Sequence, residues 1–170
     1  MTTRLVVFSV PALDAEASSI GALCDMLGVA QPVDWPPPFG SVGVRDWFRQ
    51  QLLADPARAP WFGHYIVSWI DGRDTLVGTA GYKGPPDTSG MVEIGYSIVP
   101  AYHRMGIGKA AVNRLVAQAF ADTRVRAVTA ETPTDFLASR GLLEKCGFQP
   151  AGIRIDPEDG ELALYEIGRN

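Results

Sequence analysis

Residues 99–115 read VPAYHRMGIGKAAVNRL, and the fold turns on how this run is parsed. It leaves an apolar strand at Val99-Pro100, passes Gly106, Gly108 and Lys109, and enters a helical pattern. Ile107, Ala111, Leu115 and Ala119 lie on one four-residue row, with Val112, Val116 and Phe120 beside it. A strand that turns into a helix in this way leaves the first amides of the helix without intrahelical acceptors. The N–H groups from Arg104 to Lys109, together with the helix dipole, suit an anion such as a diphosphate with no metal required. Glycines at such a place let a phosphate approach the backbone.

Working outward, the segment before the turn is MVEIGYSIV, residues 91–99, read as the third strand of an antiparallel meander. Its partners are His64–Ile70 and Thr75–Lys83, joined by the hairpin signal DGRD. GPPDTSG makes the turn into the third strand. After the central helix, which runs to about Ala121, RVRAVTAET reads as a strand. TDFLASRGLLEKCGF then reads as a helix capped at Thr134 or Asp135 and stopped by Gly147. FQPAGIRI and ELALYEI close the sheet around DPEDGE. Towards the N-terminus come a strand at Arg4–Val10, a helix over Asp14–Leu27 capped by Asp14, the proline-rich loop VAQPVDWPPPFG, and a helix over Val44–Ala54. Strands followed by β-α-β-α-β-β give an α+β class, with a mixed, mostly antiparallel sheet and a central β-α-β crossover flanked by helices.

The 170 residues predict one domain, 46% hydrophobic and 20% charged, ordinary for a globular chain. Within it, residues 1–60 form an N-terminal strand and helices, and 61–170 the core. A net charge of −4 gives no expectation of a nucleic-acid partner. Cys24 and Cys146 make no disulfide framework, and no Cys/His cluster has zinc spacing, so no metal is expected. The start MTTRLVVFSVPALDAEASS reads as neither signal peptide nor membrane span, which makes a cytoplasmic protein without a membrane partner the expectation.

Three phosphate-binding readings fit a glycine turn of this kind. A Walker loop needs glycine where His103 stands and Ser or Thr where Ala110 stands, so it fails. A dinucleotide fingerprint matches Gly106, Gly108 and Ala111, with Glu131 ending the next strand, but PAYHRM separates strand from glycine and the strand sits in an antiparallel meander. The third reading takes in the whole neighbourhood. VEIGYSIVPAYHRMGIGKAAVNRLVAQAF, then AVTAET, then ASRGLLEKCGF resemble the acetyl-CoA-binding region of the GCN5-related N-acetyltransferases (GNAT), in the branch of the ribosomal-protein alanine N-terminal acetyltransferases. The resemblance spans about residues 65–155 and is weaker before that, where DWPPP is similar to some bacterial members of unknown substrate.

The resemblance implies that acetyl-CoA is the co-substrate, held by backbone groups at Ile98 and Val99 and by the loop His103, Arg104, Met105, Gly106, Ile107, Gly108 and Lys109. Alternation along 91–99 places Glu93, Gly95, Ser97 and Val99 on one face and Val92, Ile94, Tyr96 and Ile98 on the other. A carboxylate on the first, open face can take an amine proton directly or through water. In related enzymes a glutamate on this strand has that role, which implies Glu93 as base. A serine before LEKxGF serves as acid in the resembling branch, which points to Ser139; a mid-helix serine bonding back to a carbonyl is the plain alternative. Pro100 cannot donate to a ladder, so the pairing of this strand with the next is expected to break there.

Two positions depart from the family pattern. Phe136 stands three before Ser139, where asparagine is common against the pantetheine arm, and His103 stands at the leading Gln/Arg place. Two functional classes therefore remain: an acetyl-CoA-dependent N-acetyltransferase working by direct attack in a ternary complex, and a non-catalytic acyl-CoA-binding or sensing module. For the enzyme, the acceptor is a small-molecule or peptide amine, with Trp35, Trp47, Trp61 and His64 as candidates to wall its site, and the chain is a monomer or homodimer. Gly141 in the later helix is expected to permit close packing.

Overall fold

The computed structural model describes residues 2–38 and 42–169; Phe39 and Gly40, the end of the proline-rich loop, lie outside them. One seven-stranded sheet runs in the order β1-β2-β3-β4-β5-β7-β6. Its strands are β1 (Thr3–Val7), β2 (Gly63–Ile70), β3 (Arg73–Tyr82), β4 (Met91–Ile98), β5 (Ala127–Pro133), β6 (Gln149–Asp156) and β7 (Gly160–Gly168). β4 and β5 pair in parallel; every other neighbouring pair is antiparallel. The expected mixed sheet with one crossover is what forms. The β2–β3 turn uses Asp71 and Gly72 with φ of 47° and 84°, the left-handed pair a two-residue hairpin demands.

The crossover helix is α4 (Ile107–Ala121). Its expected apolar row, Ile107, Ala111, Leu115 and Ala119, is at most 1% exposed, and it packs with Val92, Ile94, Ile98 and Val128 in the larger core cluster. Tyr82 Oη donates to Leu115 O at 2.6 Å, tying the helix to β3. α5 (Leu137–Lys145) joins the same core through Leu143. α1 (Val10–Ser18), α2 (Ile20–Leu27) and α3 (Val42–Ala54) supply Ala12, Leu13, Leu23, Cys24 and Leu52 to a second cluster, against Tyr65 of β2 and Leu76 of β3.

Several local expectations are corrected. The single helix over 14–27 is two, because Ser19 adopts an extended conformation and caps α2 through Ala22 N at 3.0 Å. Ser9, not Asp14, caps α1, accepting from Ala12 N, and this early start shortens β1. Asp14 instead pairs with Arg49 at 2.6 Å. α5 begins at Leu137 after Phe136, with no side-chain cap from Thr134 or Asp135. Gly147 does end it in a left-handed conformation, φ 92°. Gly141 has open space where a Cβ would stand, so it permits no close approach.

Candidate active site

β4 is the seam of the molecule. It pairs with β3 as far as Ile98, opposite Gly78, whereas its ladder with β5 runs only from Met91–Ala127 to Ile94–Ala130. Past that point β5 follows β7 as far as Pro133–Leu162, and the two central strands part. The opening thus begins four residues before Ile98, not at Pro100 as the sequence suggests; Pro100 starts a 3₁₀ turn instead. Lys83 N donates to Glu93 O and Val99 N to Val77 O, so the peptide groups of 93 and 99 face β3. Strand alternation then turns those of Tyr96 and Ile98 towards the gap. The Val99 amide is already spent on β3. The Ile98 carbonyl accepts from His103 Nε2 at 2.9 Å, which folds that ring back onto the strand.

The turn that follows has left-handed φ at Arg104 (60°) and Gly106 (76°). Such a backbone gathers successive N–H groups into an anion-binding concavity. Gly106 caps α4 without a side-chain bond, and Ala110 N is bonded to Gly106 O, so the amides of Ile107, Gly108 and Lys109 are the orphans of the first helical turn. The two glycines have different reasons to be there. Gly106 has nothing within 4 Å of a would-be Cβ and is required by its φ. At Gly108 a Cβ would stand 2.6 Å from Leu142 Cδ1, so it is small to admit α5.

A cavity of about 1150 Å³ extends from the gap across the open face of β3 and β4 to the N-terminal helices. At the gap it is lined by Ile94, Gly95, Tyr96, Ser97, Phe136 and Ser139. Ser139 and Tyr96 exchange a hydroxyl–hydroxyl hydrogen bond of 2.9 Å. Burial is the main cause pushing the Tyr96 phenol up to about 12, so it keeps its proton. Lys83 lines the middle and forms an ion pair with Glu93, whose own carboxylate lies beside the cavity and not in its lining. Glu131 lines it too, held by two hydrogen bonds from Arg154, at 2.6 and 3.2 Å. At the far end stand Glu16, Trp35, Arg45, Trp47 and Phe48.

Trp61 packs on Tyr82, ring centroids 5.1 Å apart, and does not line the cavity. His64 is buried beside the same tyrosine. Cys24 is buried, and burial raises its thiol to about 11; Cys146 is half-buried and is also raised by burial. Among the described residues no group of three His, Cys, Asp or Glu gathers to hold a metal ion, and no helix is long and apolar enough to cross a membrane.

Tyr96, Lys83 and Glu16 escape a reading of sequence alone. Tyr96 falls on the core face by alternation, yet it lines the cavity and its hydroxyl meets Ser139. Lys83 meets Glu93 through a register set by the loop between β3 and β4. Glu16 depends on the docking of a helix onto the sheet.

A family model described as an acetyltransferase (GNAT) domain matches residues 5–149. The uncharacterized N-acetyltransferase YjdG of Bacillus subtilis (strain 168) is 30% identical over 145 residues, covering 85% of this chain and 84% of that protein. The uncharacterized N-acetyltransferase YoaA of the same strain is 34% identical over 90 residues, 51% of each chain. In structure the chain is similar to the microcin C7 self-immunity acetyltransferase MccE, solved with acetyl-CoA and AMP: TM-score 0.68, 14% identity, covering 98% of this chain and 92% of that one. It is also similar to RimL, a ribosomal L7/L12 alpha-N-protein acetyltransferase solved with coenzyme A, at TM-score 0.66 and 14% identity over 99% and 94% of the two chains. Parted central strands, an amide-lined turn into α4 and a family match over most of the length agree: this chain belongs to the GNAT acetyltransferases.

Proposed function

We propose that the protein transfers the acetyl group of acetyl-CoA to a primary amine by direct attack, with both substrates bound together. The observation that carries this reading is the continuous cavity from the β4–β5 gap to the acid and aromatic end under α1 and α3. Residues 61–170 provide the acetyl-CoA side, and the helices before residue 60 wall the acceptor side. The site fits acetyl-CoA: amides at the start of α4 for its diphosphate, and the peptide groups of Tyr96 and Ile98, turned into the gap, for its pantetheine arm. When bound, acetyl-CoA supplies the activated thioester.

The remaining work falls to the chain. The Ile98 amide is the backbone donor at the gap suited to polarise a carbonyl oxygen. Glu93 serves as base through water. Glu131 is occupied by Arg154 and Glu16 lies at the far end, whereas Glu93 has a single exposed lysine, Lys83, as its ion-pair partner beside the cavity. Ser139 hydrogen-bonds the departing sulfur and relays to it a proton taken from water, and Tyr96, whose phenol is pushed up to about 12 mainly by burial and so keeps its proton, holds the serine hydroxyl in place. Phe136, at the mouth of the gap, gives the pantetheine arm an apolar contact in place of a polar one.

The test is thiol release from acetyl-CoA against a panel of primary amines and peptides. Turnover with at least one amine is expected, as is a loss of 100-fold or more in kcat for Glu93→Gln with acetyl-CoA affinity retained. Binding of acetyl-CoA without turnover of any amine overturns the reading in favour of a sensing module.

A further inference from the structure

The acceptor end of the cavity holds a carboxylate for which the proposed chemistry has no use. Glu16, on α1, accepts from Trp35 Nε1 at 2.9 Å and from Tyr65 Oη at 2.7 Å. Both donors are neutral, so they hold the carboxylate in place without cancelling its charge. That charge, after burial, also drives the Tyr65 phenol far above its ordinary range and keeps it a donor. No ion pair among the described residues engages Glu16, whereas the nearby cations are engaged elsewhere: Arg45 with Asp46 at 3.3 Å, Arg49 with Asp14, and Lys83 with Glu93.

Around this carboxylate the walls are aromatic. The Trp35 and Tyr65 rings are 6.5 Å apart, Phe8 lies 4.4 Å from Tyr65 and 5.4 Å from Phe48, and Trp47 lies 5.0 Å from Phe48. Arg45 lines the same end and its charge reaches the Tyr65 hydroxyl, but it makes no ion pair with Glu16; a fixed carboxylate without an ion-pair partner, set among aromatic rings, attracts an alkylammonium better than a neutral group or an anion.

We infer that Glu16 and its aromatic surround bind a second, non-reacting cationic group of the acceptor, so the preferred acceptor is a small aliphatic amine with at least two cationic nitrogens. The inference rests on the acetyl-transfer reading above and deepens it. The span follows from the sheet. Tyr65 pairs with Thr79, and Thr79 with Ser97 at the gap, so the two subsites lie roughly two strand spacings apart, about 10 Å. A small acceptor fits better than an extended peptide, because residues 33–38 already lie over the end of β4. Val33 N donates to Tyr102 Oη at 3.2 Å, and Ser97 Oγ donates to Pro38 O.

The experiment compares α,ω-diamines of two to eight methylenes with monoamines of matched length, using wild-type protein and Glu16→Gln, and measures diamine binding by calorimetry in the presence of CoA. For wild type, the best diamine is expected to exceed its matched monoamine at least tenfold in kcat/KM, with an optimum at intermediate length. Glu16→Gln is expected to abolish that preference and the diamine binding heat, while changing monoamine turnover and the KM for acetyl-CoA less than threefold. Equal handling of diamines and monoamines by wild type overturns the inference, as does an equal loss for both in Glu16→Gln, or a peptide preferred over every diamine. If no amine is acetylated, the acetyl-transfer reading fails and the calorimetric comparison still decides the cation subsite.

Discussion

Acidification from pH 6.5 to 4 is expected to cost the fold about 3 kcal/mol through His64. The ring is 1% exposed, and neither nitrogen has a hydrogen-bond partner. Burial lowers its pKa from 6.5 to about 4, and the nearby backbone of Phe62 and Ala80 offsets only part of that cost. Between those values the unfolded chain takes up a proton that the native chain refuses. The unfolded state binds more protons there, so stability rises with pH across the window and falls as pH drops through it. At 1.36 kcal/mol per pH unit the full excursion comes to about 3 kcal/mol, a large share of the 5–15 kcal/mol typical of a domain. Asp122 and Asp156, both lowered to about 2, by Arg124 and by backbone amides respectively, keep their full stabilising contribution above the ordinary 3.8 and lose it only as pH falls from there towards 2, so the two windows separate. Urea unfolding followed by tryptophan fluorescence at steps from pH 7 to 4 reads the slope. His64→Phe, which keeps an aromatic ring beside Tyr82 and removes no satisfied hydrogen bond, is expected to flatten it. An unchanged slope in His64→Phe, or a flat wild-type profile above pH 4, refutes the reasoning.

Four further outcomes concern the site and its supports. Ser139→Ala and Tyr96→Phe are each expected to lower kcat tenfold or more with little change in KM for acetyl-CoA. The second change should add almost nothing once the first is made, as a double-mutant cycle will show; an acetyl thioester with a more acidic leaving thiol should be insensitive to both. Gly78→Ala places a Cβ 2.2 Å from Ser97 O, inside the β3–β4 ladder, and should cost about 2–4 kcal/mol in chemical denaturation. Gly106→Ala should lose about 1 kcal/mol from left-handed strain alone. Gly108→Ala should be relieved by Leu142→Ala, which removes the atom its Cβ would meet.

Regular periodicity carried most of the architecture. The apolar row of α4, the alternation along β4 and the hairpin at Asp71-Gly72 each rest on local chemistry that a single segment contains. Places where a decision belongs to two segments were not legible. Ser19 divides a helical pattern that is continuous on hydrophobicity, because its capping bond competes with helix continuation. The parting of β4 and β5 depends on β7 holding one strand while β3 holds the other. The chemistry divides in the same way. Resemblance and strand parity point to Glu93 and Ser139 as candidates, whereas the side chains that contact them, Lys83 and Tyr96, become visible only through cross-strand register and helix docking.

The chain over residues 33–38 has one further consequence. It is pinned to Tyr102 beside the turn into α4, to Ser97 on β4 and, through Trp35, to Glu16 at the opposite end. One short segment thus spans both ends of the cavity, and any shift that a ligand at one end imposed on it would change affinity at the other end by the same factor as the reverse, because coupling free energies between two binding sites are reciprocal.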